Sequence, residues 1–312
     1  GNAYAGSDTI VYIIDNTAPN VTLTDDHSDL KVKDADNVVI TATFDESMTS
    51  APTISIDVAV GTDADISATA MSGSGTTWTY TFDVPSGHDG NATVTVAGTD
   101  VAGNAYAGSD TIVYIIDNTA PTQTVSSVSL SADTGTSSTD EITKTASQTI
   151  SGTLSGALAS GDILYGSVNN GSSWTDITSK VSSDTAISWN GATLSGSDNI
   201  VFKITDAAGN DSSTTGSTAY VLDTTAPTLT VSSVSLSADT GTSSTDEITK
   251  TASQTISGTL SGALASGDIL YGSVNNGSSW TDITSKVSSD TAISWNGATL
   301  SGSDNIVFKI TD

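Results

Sequence analysis

The side chains able to do chemistry in this chain are mostly carboxylates, and they recur at matched places. Asp15, Asp117 and Asp223 each open a phrase of the form Asp-Asn/Thr-Thr-Ala-Pro. Asp100 and Asp206 each begin the phrase Asp-x-x-Gly-Asn, and Asp312 stands at the same point of a third copy. Asp45 with Glu46, Asp162 and Asp268 form a further matched set, each near a turn between two apolar runs. Carboxylates brought together without compensation repel one another, so their convergence implies a cation. Hard oxygen ligands from side chains and turn carbonyls suit Ca²⁺. The competing reading is that these are ordinary turn-capping aspartates. A second acidic set comprises Asp133 and Asp140 with neighbour Glu141, and their copies Asp239, Asp246 and Glu247. Asp25, Asp26, Asp29, Asp34 and Asp36 are its counterpart near the N-terminus. Gly135 permits a sharp turn there, and Ser and Thr add oxygens. The spacing is not that of an EF-hand, so a metal loop and a solvated loop of Asx turns both remain open.

The charge balance narrows the partners. The chain carries 35 Asp and Glu against 8 basic residues, all Lys, for a net charge of −27. Such a field repels phosphate backbones and anionic lipid surfaces, and no Arg exists to grip phosphate at two points. Divalent cations are the favoured partner. Without Cys there is no disulfide, and bound metal is another staple for lean cores in a secreted chain. No run of 18 apolar residues is present, so direct membrane insertion is not expected.

Catalytic readings find little support. Asp133-Thr134-Gly135-Thr136 and Asp239-Thr240-Gly241-Thr242 mimic aspartic-protease loops, but they are one loop in two successive repeats rather than a pair facing across a cleft. Ser167 to Trp174 resembles an Asp-box hairpin with Asn169 in place of Asp, a structural turn with Trp174 packed beneath it. His27 and His88 read as surface residues. The sequons at Asn91, Asn170, Asn210 and Asn276 are expected by chance in so Ser/Thr-rich a chain. Trp78, Trp174, Trp189, Trp280 and Trp295 are expected in the core. No enzyme is predicted.

The elements that must hold these carboxylates are legible from repetition. Val125 to Asp206 recurs letter for letter as Val231 to Asp312, and Gly1 to Pro19 recurs as Gly103 to Pro121. A period near 100 residues matches one β-sandwich. Boundaries therefore fall near residues 19, 121 and 227, where Pro fixes φ and extends the residue before it. This gives the last strand of a preceding repeat (1–19), a divergent repeat (20–121), a second repeat (122–227) and a third expected to lack its last strand (228–312). Apolar residues alternate with polar ones throughout, as in 38–44, 78–82, 149–154 and 200–204, and no helical period is visible. For the second repeat, strands are predicted at 124–131, 147–154, 163–169, 173–178, 186–189 with 192–194, 200–205 and 217–223. The fold class is all-β: tandem immunoglobulin-like Greek-key sandwiches arranged end to end as a rod. In that fold the Asp15, Asp117 and Asp223 linkers meet two turns of the following domain. The trios are Asp15 with Asp45/Glu46 and Asp100, then Asp117 with Asp162 and Asp206, then Asp223 with Asp268 and Asp312. The apolar segment 9–15 and the third repeat are complementary in content, which fits either head-to-tail strand addition between molecules or missing partner segments supplied by a longer chain.

The Asp-x-x-Gly-Asn turns, the Asp-x-Thr-Ala-Pro linkers and the loop Ser131 to Asp140 together resemble the bacterial immunoglobulin-like repeats of large RTX-type adhesins. The resemblance covers essentially the whole chain. It implies repeats that bind Ca²⁺ and act as extracellular extenders, holding a distal adhesive tip away from the bacterial cell surface. The alternative is a carbohydrate- or protein-binding module in the divergent repeat.

Overall fold

A computed structural model of the chain describes residues 2–3, 6–59, 64–135, 137–182, 185–288 and 291–312. Thr136, within the acidic loop of the second repeat, lies outside the described residues. The chain divides into two compact units, one of residues 1–128, 152–189 and 200–217, the other of residues 129–151, 190–199 and 218–312.

The first unit contains the whole divergent repeat. Its strands are β1 (Val21–Asp25), β2 (Lys31–Val32), β3 (Asn37–Phe44), β4 (Thr53–Val58), β5 (Ile66–Ala70), β6 (Ser72–Ser74), β7 (Thr77–Asp83), β8 (Gly90–Ala97) and β9 (Ile112–Ile116). They form one sheet in the order β1-β3-β7-β6 and a second in the order β2-β9-β8-β4-β5. Alternation along β3 buries Val38, Ile40, Ala42 and Phe44. These pack with Ile54, Ile56 and Val58 of β4, Val94 of β8, and Tyr114 and Ile116 of β9. Burying each such aliphatic side chain contributes about 1.5–3 kcal/mol, which makes the period-2 pattern decisive for register.

Residues 9–14 differ from expectation. The same letters that form β9 at 112–116 form no strand here, and Ile10, Val11, Tyr12, Ile13 and Ile14 are 75–94% exposed. The reason is pairing. β9 is held by β8 on one side and by β2 on the other, whereas a strand with no partner leaves its backbone donors and acceptors to water.

The second repeat runs β10 (Val125–Leu130), β11 (Ile142–Thr143), β12 (Ser147–Leu154), β13 (Ile163–Ser167), β14 (Thr175–Asp176), β15 (Val181–Ser182), β16 (Ala186–Thr193), β17 (Ser197–Thr205) and β18 (Thr215–Leu222). Within the first unit, β13 pairs antiparallel with β17, matching Ile163 to Thr205, and with β14. Within the second unit, β11 pairs in parallel with β18. The third repeat adds β19 (Val231–Leu236), β20 (Ser253–Leu260), β21 (Ile269–Ser273), β22 (Thr281–Asp282), β23 (Ala292–Thr299) and β24 (Val307–Thr311). Its sheets have the orders β19-β20-β23 and β22-β21-β24. Ile256, Leu260, Leu270, Ile283, Ile293 and Trp295 form its core.

The predicted strands are present, with edges displaced by a few residues and 173–178 reduced to the two residues of β14. The short strands β2, β11 and β15 were not foreseen, because two residues carry no period. Among the described residues the helical elements are two single 3-10 turns, Thr178–Lys180 and Thr284–Lys286, and no helix is long and apolar enough to cross a membrane. Trp78, Trp189 and Trp295 lie in cores as expected. Trp174 and Trp280 do not: each is half-buried beside its hairpin, with Lys203 or Lys309 over the ring.

Candidate metal centre

At the linker end of the divergent repeat three carboxylates converge. Ligand atoms of Asp15, Glu46 and Asp100 all lie within 4.8 Å of one another, and no other such group of three occurs among the described residues. Each comes from a different element. Asp15 belongs to the linker, where its Oδ1 accepts from the Thr17 amide at 3.0 Å. Glu46 follows β3, in the turn toward β4. Asp100 starts the turn between β8 and β9 and is fully buried. Its Oδ1 accepts from the amides of Gly103 (2.6 Å) and Asn104 (2.7 Å), and its Oδ2 from Asn104 Nδ2 at 2.8 Å. Gly103 sits at φ +99°, which an L side chain rarely adopts. The Asn104 amide group also donates to the Asp15 carbonyl at 3.3 Å, tying linker to turn.

The protonation balance within this trio is uneven. Burial raises the Asp100 carboxyl, but hydrogen bonds from Asn104, Gly103 and Ala102 outweigh it and hold the group below its ordinary value. Glu46 is pushed up, first by burial and then by the negative charges of Asp15, Asp100 and Asp45. A cation would relieve the second effect without disturbing the first. Asp45 stands apart from the trio. Its two oxygens accept from the Asn20 amide (2.8 Å) and Asn20 Nδ2 (2.9 Å), fixing the residue after Pro19.

The same wiring recurs at the second repeat, with looser carboxylates. Asp206 accepts from the amides of Ala208 (2.9 Å) and Asn210 (2.8 Å) and from Asn210 Nδ2 at 2.9 Å. Asn210 Nδ2 also donates to the Asp117 carbonyl at 2.8 Å. Asp117 caps Thr119 and Asp162 caps Ala159, so each oxygen so used already has a backbone donor. In the third repeat Asp223 caps Thr225 and Asp268 caps Ala265. Asp223 and Asp312 share a cavity of about 40 Å³ with Thr134, Gly135, Ile142, Thr143 and Lys144. The sequence reading missed the role of the Asn closing each Asp-x-x-Gly-Asn phrase, although its position in the phrase was the available signal.

The acidic loop at the other end of the repeat is mixed. Asp133 Oδ2 accepts from the amides of Asp140 and Glu141, both at 3.1 Å, and Asp239 makes the same pair with Asp246 and Glu247. Asp140 and Asp246 cap Ile142 and Ile248. Asp133 Oδ1 and Asp239 Oδ1 are buried without a hydrogen-bond partner. A buried carboxylate oxygen left unpaired is costly, and a hard cation is the ligand that fits it. Glu141 is raised, first by burial and then by Asp133 and Asp140. Asp133 and Asp239 are thus each closed within their own loop, unlike a protease dyad that shares a proton. In the divergent repeat four of the corresponding aspartates accept amides within their own turns, Asp25 from His27, Asp29 from Lys31, Asp34 from Ala35 and Asp36 from Lys33, while Asp26 accepts from Val39 of β3.

The sequence profile of a bacterial Ig-like domain (group 3) matches residues 76–172 and 183–280, together more than half of the chain. Each match spans a linker, half a repeat out of phase with the boundaries at 121 and 227. No curated protein matches the chain. A crystal structure described as a tetra-tandem repeat in the extending region of a large adhesion protein is similar at 20% identity and a TM-score of 0.27, covering 96% of this chain and 76% of that one. The chain belongs to the bacterial Ig-like domain (group 3) family, present here in tandem.

Proposed function

We propose that this chain is a calcium-stiffened extender from the stalk of a secreted bacterial adhesin, exposed at the cell surface and holding a distal binding tip outward. The observation that carries the reading is the meeting of linker Asp15 with Glu46 and Asp100 of the following repeat. An ion bound there, held by these three side chains, would couple the direction of the linker to the sandwich after it. The unpaired oxygens of Asp133 and Asp239 add a second class of calcium ligand at the other end of the repeats. Asp117, Asp162 and Asp206, and Asp223, Asp268 and Asp312, would supply the later joints. A letter-for-letter repeat suits a product whose useful property is length. Calorimetric calcium titration, with small-angle scattering in calcium and in chelator, tests this. Saturable binding with a stiffer chain in calcium is expected; no binding, or a scattering profile indifferent to chelator, overturns it.

Strand addition between molecules belongs to the same reading. Ile10–Ile14 are exposed, and the third repeat has a groove of about 570 Å³ beside Val234, Leu236, Ile248, Val274, Leu300 and Ile306. Sedimentation should then show concentration-dependent multimers, and a monomer mass at every concentration refutes it.

A further inference from the structure

Of the eight basic residues in the chain, Lys31, Lys33, Lys144 and Lys250 lie in or just after β2, β11 or the matching stretch of the third repeat. Half of a scarce residue type is therefore concentrated at one structural position. β2 runs parallel to β9 and β11 runs parallel to β18, so each short strand leaves the sandwich beside its own outgoing linker. The linker aspartate is tied to it. The Asp117 amide donates to the Val32 carbonyl at 2.9 Å, and the Asp223 amide to the Thr143 carbonyl at 2.9 Å. In both cases the next residue is lysine, Lys33 or Lys144.

Lys33 faces the Asp-x-x-Gly-Asn turn of the following repeat, and Lys144 lies near the aspartate that stands at the same point of the third. Lys33 Nζ donates a hydrogen bond to the carbonyl of Gly209 in the second repeat. Lys31 Nζ lies 3.8 Å from where a Cβ on Gly161 would stand, in the turn that carries Asp162. Within the second unit, Lys144 shares its small cavity with Asp223 and Asp312, the latter being the aspartate equivalent to Asp206. The divergent and regular repeats differ in sequence, yet each places a lysine beside its outgoing linker and near the matched aspartate position of the next repeat.

We propose that the two later joints carry a cation of their own: a lysine at the outgoing end of one repeat is captured by the turn after the penultimate strand of the next, and holds the two in register without metal. The chemistry suits the residue. The Asp206 carboxylate is consumed by amides inside its turn, which leaves the Gly209 carbonyl facing outward in a strongly negative neighbourhood. An ammonium on a long stem offers three donors and tolerates small changes in approach, and a charged donor strengthens the bond. Asp211 feels the same charge. Burial raises its carboxyl, but hydrogen bonds from Lys203 and Thr205, with the charges of Lys203 and Lys33, bring it below the ordinary value. The inference does not rest on calcium binding, and its test is run without calcium.

The chain has no cysteine, so Thr69→Cys and Thr175→Cys, both at exposed positions, accept a pair of spin labels. Dipolar spectroscopy in excess chelator then reads the distance distribution across the joint. A narrow distribution is expected for the parent and for Lys33→Arg, and a broad one for Lys33→Met and for the parent in molar salt. Loss of one charge-assisted bond predicts a roughly tenfold fall in the ratio of docked to free joints. Unchanged thermal unfolding of Lys33→Met shows that the repeats remain folded. A parent distribution already broad in chelator, or one that Lys33→Met leaves narrow, overturns the proposal.

Discussion

Replacing Glu46 with Gln separates a calcium centre from an acidic turn, because the two readings differ in sign. Glu46 is the member of the trio whose carboxyl is pushed up, by burial and then by Asp15, Asp100 and Asp45. In chelator, Glu46→Gln removes a repelling charge while keeping the shape, so the divergent repeat should become more stable. In calcium the same change removes a ligand, so the metal-dependent gain should shrink. For a Kd of about 10⁻⁴–10⁻³ M, typical of extracellular calcium modules, about 10 mM free calcium stabilises the parent by roughly 1.4–2.7 kcal/mol. For a domain of this size that shifts Tm upward by roughly 6–20 °C. Scanning calorimetry of parent and variant, in calcium and in chelator, reads both effects. The pH dependence has a definite sign as well. Because the folded-state pKa of Glu46 is raised, its metal-free contribution favours the fold below the unfolded pKa and is lost as pH rises through the folded one. Calcium must displace that proton, so affinity should fall as pH drops through the same window. Equal calcium shifts in parent and Glu46→Gln, with no gain for the variant in chelator, would refute the assignment of Glu46 as a ligand.

Other expectations follow from the packing and wiring. A Cβ on Gly166 would stand 2.6 Å from the Trp189 ring, so Gly166→Ala should destabilise by about 1–3 kcal/mol in urea unfolding; a neutral result would show that the ring can move. Gln148 is buried and bonds Ser131, Ala132, Thr143 and Thr145, and Gln148→Leu should cost about 1–3 kcal/mol by leaving those partners unpaired, again read by denaturant midpoint. Asn210→Ala removes the link from Asp206 to the Asp117 carbonyl and should loosen the 117–121 linker, seen as faster amide exchange at Asp117 and Thr119. Asp211 is held below its ordinary pKa, so its pairing stabilises above the unfolded pKa and is lost as pH falls through the folded one; Lys203→Met should remove that part of the acid dependence of unfolding.

Repetition and alternation made the sandwiches legible, since a strand such as β3 has half its residues buried and the letters say which half. What they could not convey was partnership. Ile10–Ile14 and Ile112–Ile116 are the same letters in two states, and only the second has β8 and β2 alongside. Two-residue strands were invisible for a simpler reason, as β2 and β11 are recruited by the last strand and the linker rather than by any period of their own. The Gly297 bulge in β23, where the register with β20 slips, likewise answers to φ +80° rather than to hydrophobicity. At the candidate site the types and the phrases were readable, but their use was not. Asp45 and Glu46 are adjacent and look interchangeable, yet one caps Asn20 and the other joins the trio. Asp117, Asp162 and Asp206 match that trio in sequence, yet one oxygen each of Asp117 and Asp162 accepts from Thr119 and Ala159, and both oxygens of Asp206 accept within its own turn, from Ala208 and Asn210.

That difference has an electrostatic reading. A cluster of carboxylates at a joint must be offset, and either a divalent ion or an ammonium can do it. Beside Asp206 the chain supplies Lys33, and beside Asp312 it supplies Lys144, whereas Asp15, Glu46 and Asp100 have no lysine near them among the described contacts. If the two cations do the same work, removing one should create demand for the other. Lys33→Met should therefore make the joint at residues 117–121 depend on calcium more than it does in the parent, with Asp117, Asp162 and Asp206 drawn onto the ion. The label pair at positions 69 and 175 reads this directly, as a broad distribution in chelator that sharpens on titrating calcium. If the variant's distribution stays broad at saturating calcium, ion and lysine are not alternatives, and the matched carboxylates of the second repeat are turn caps and nothing more.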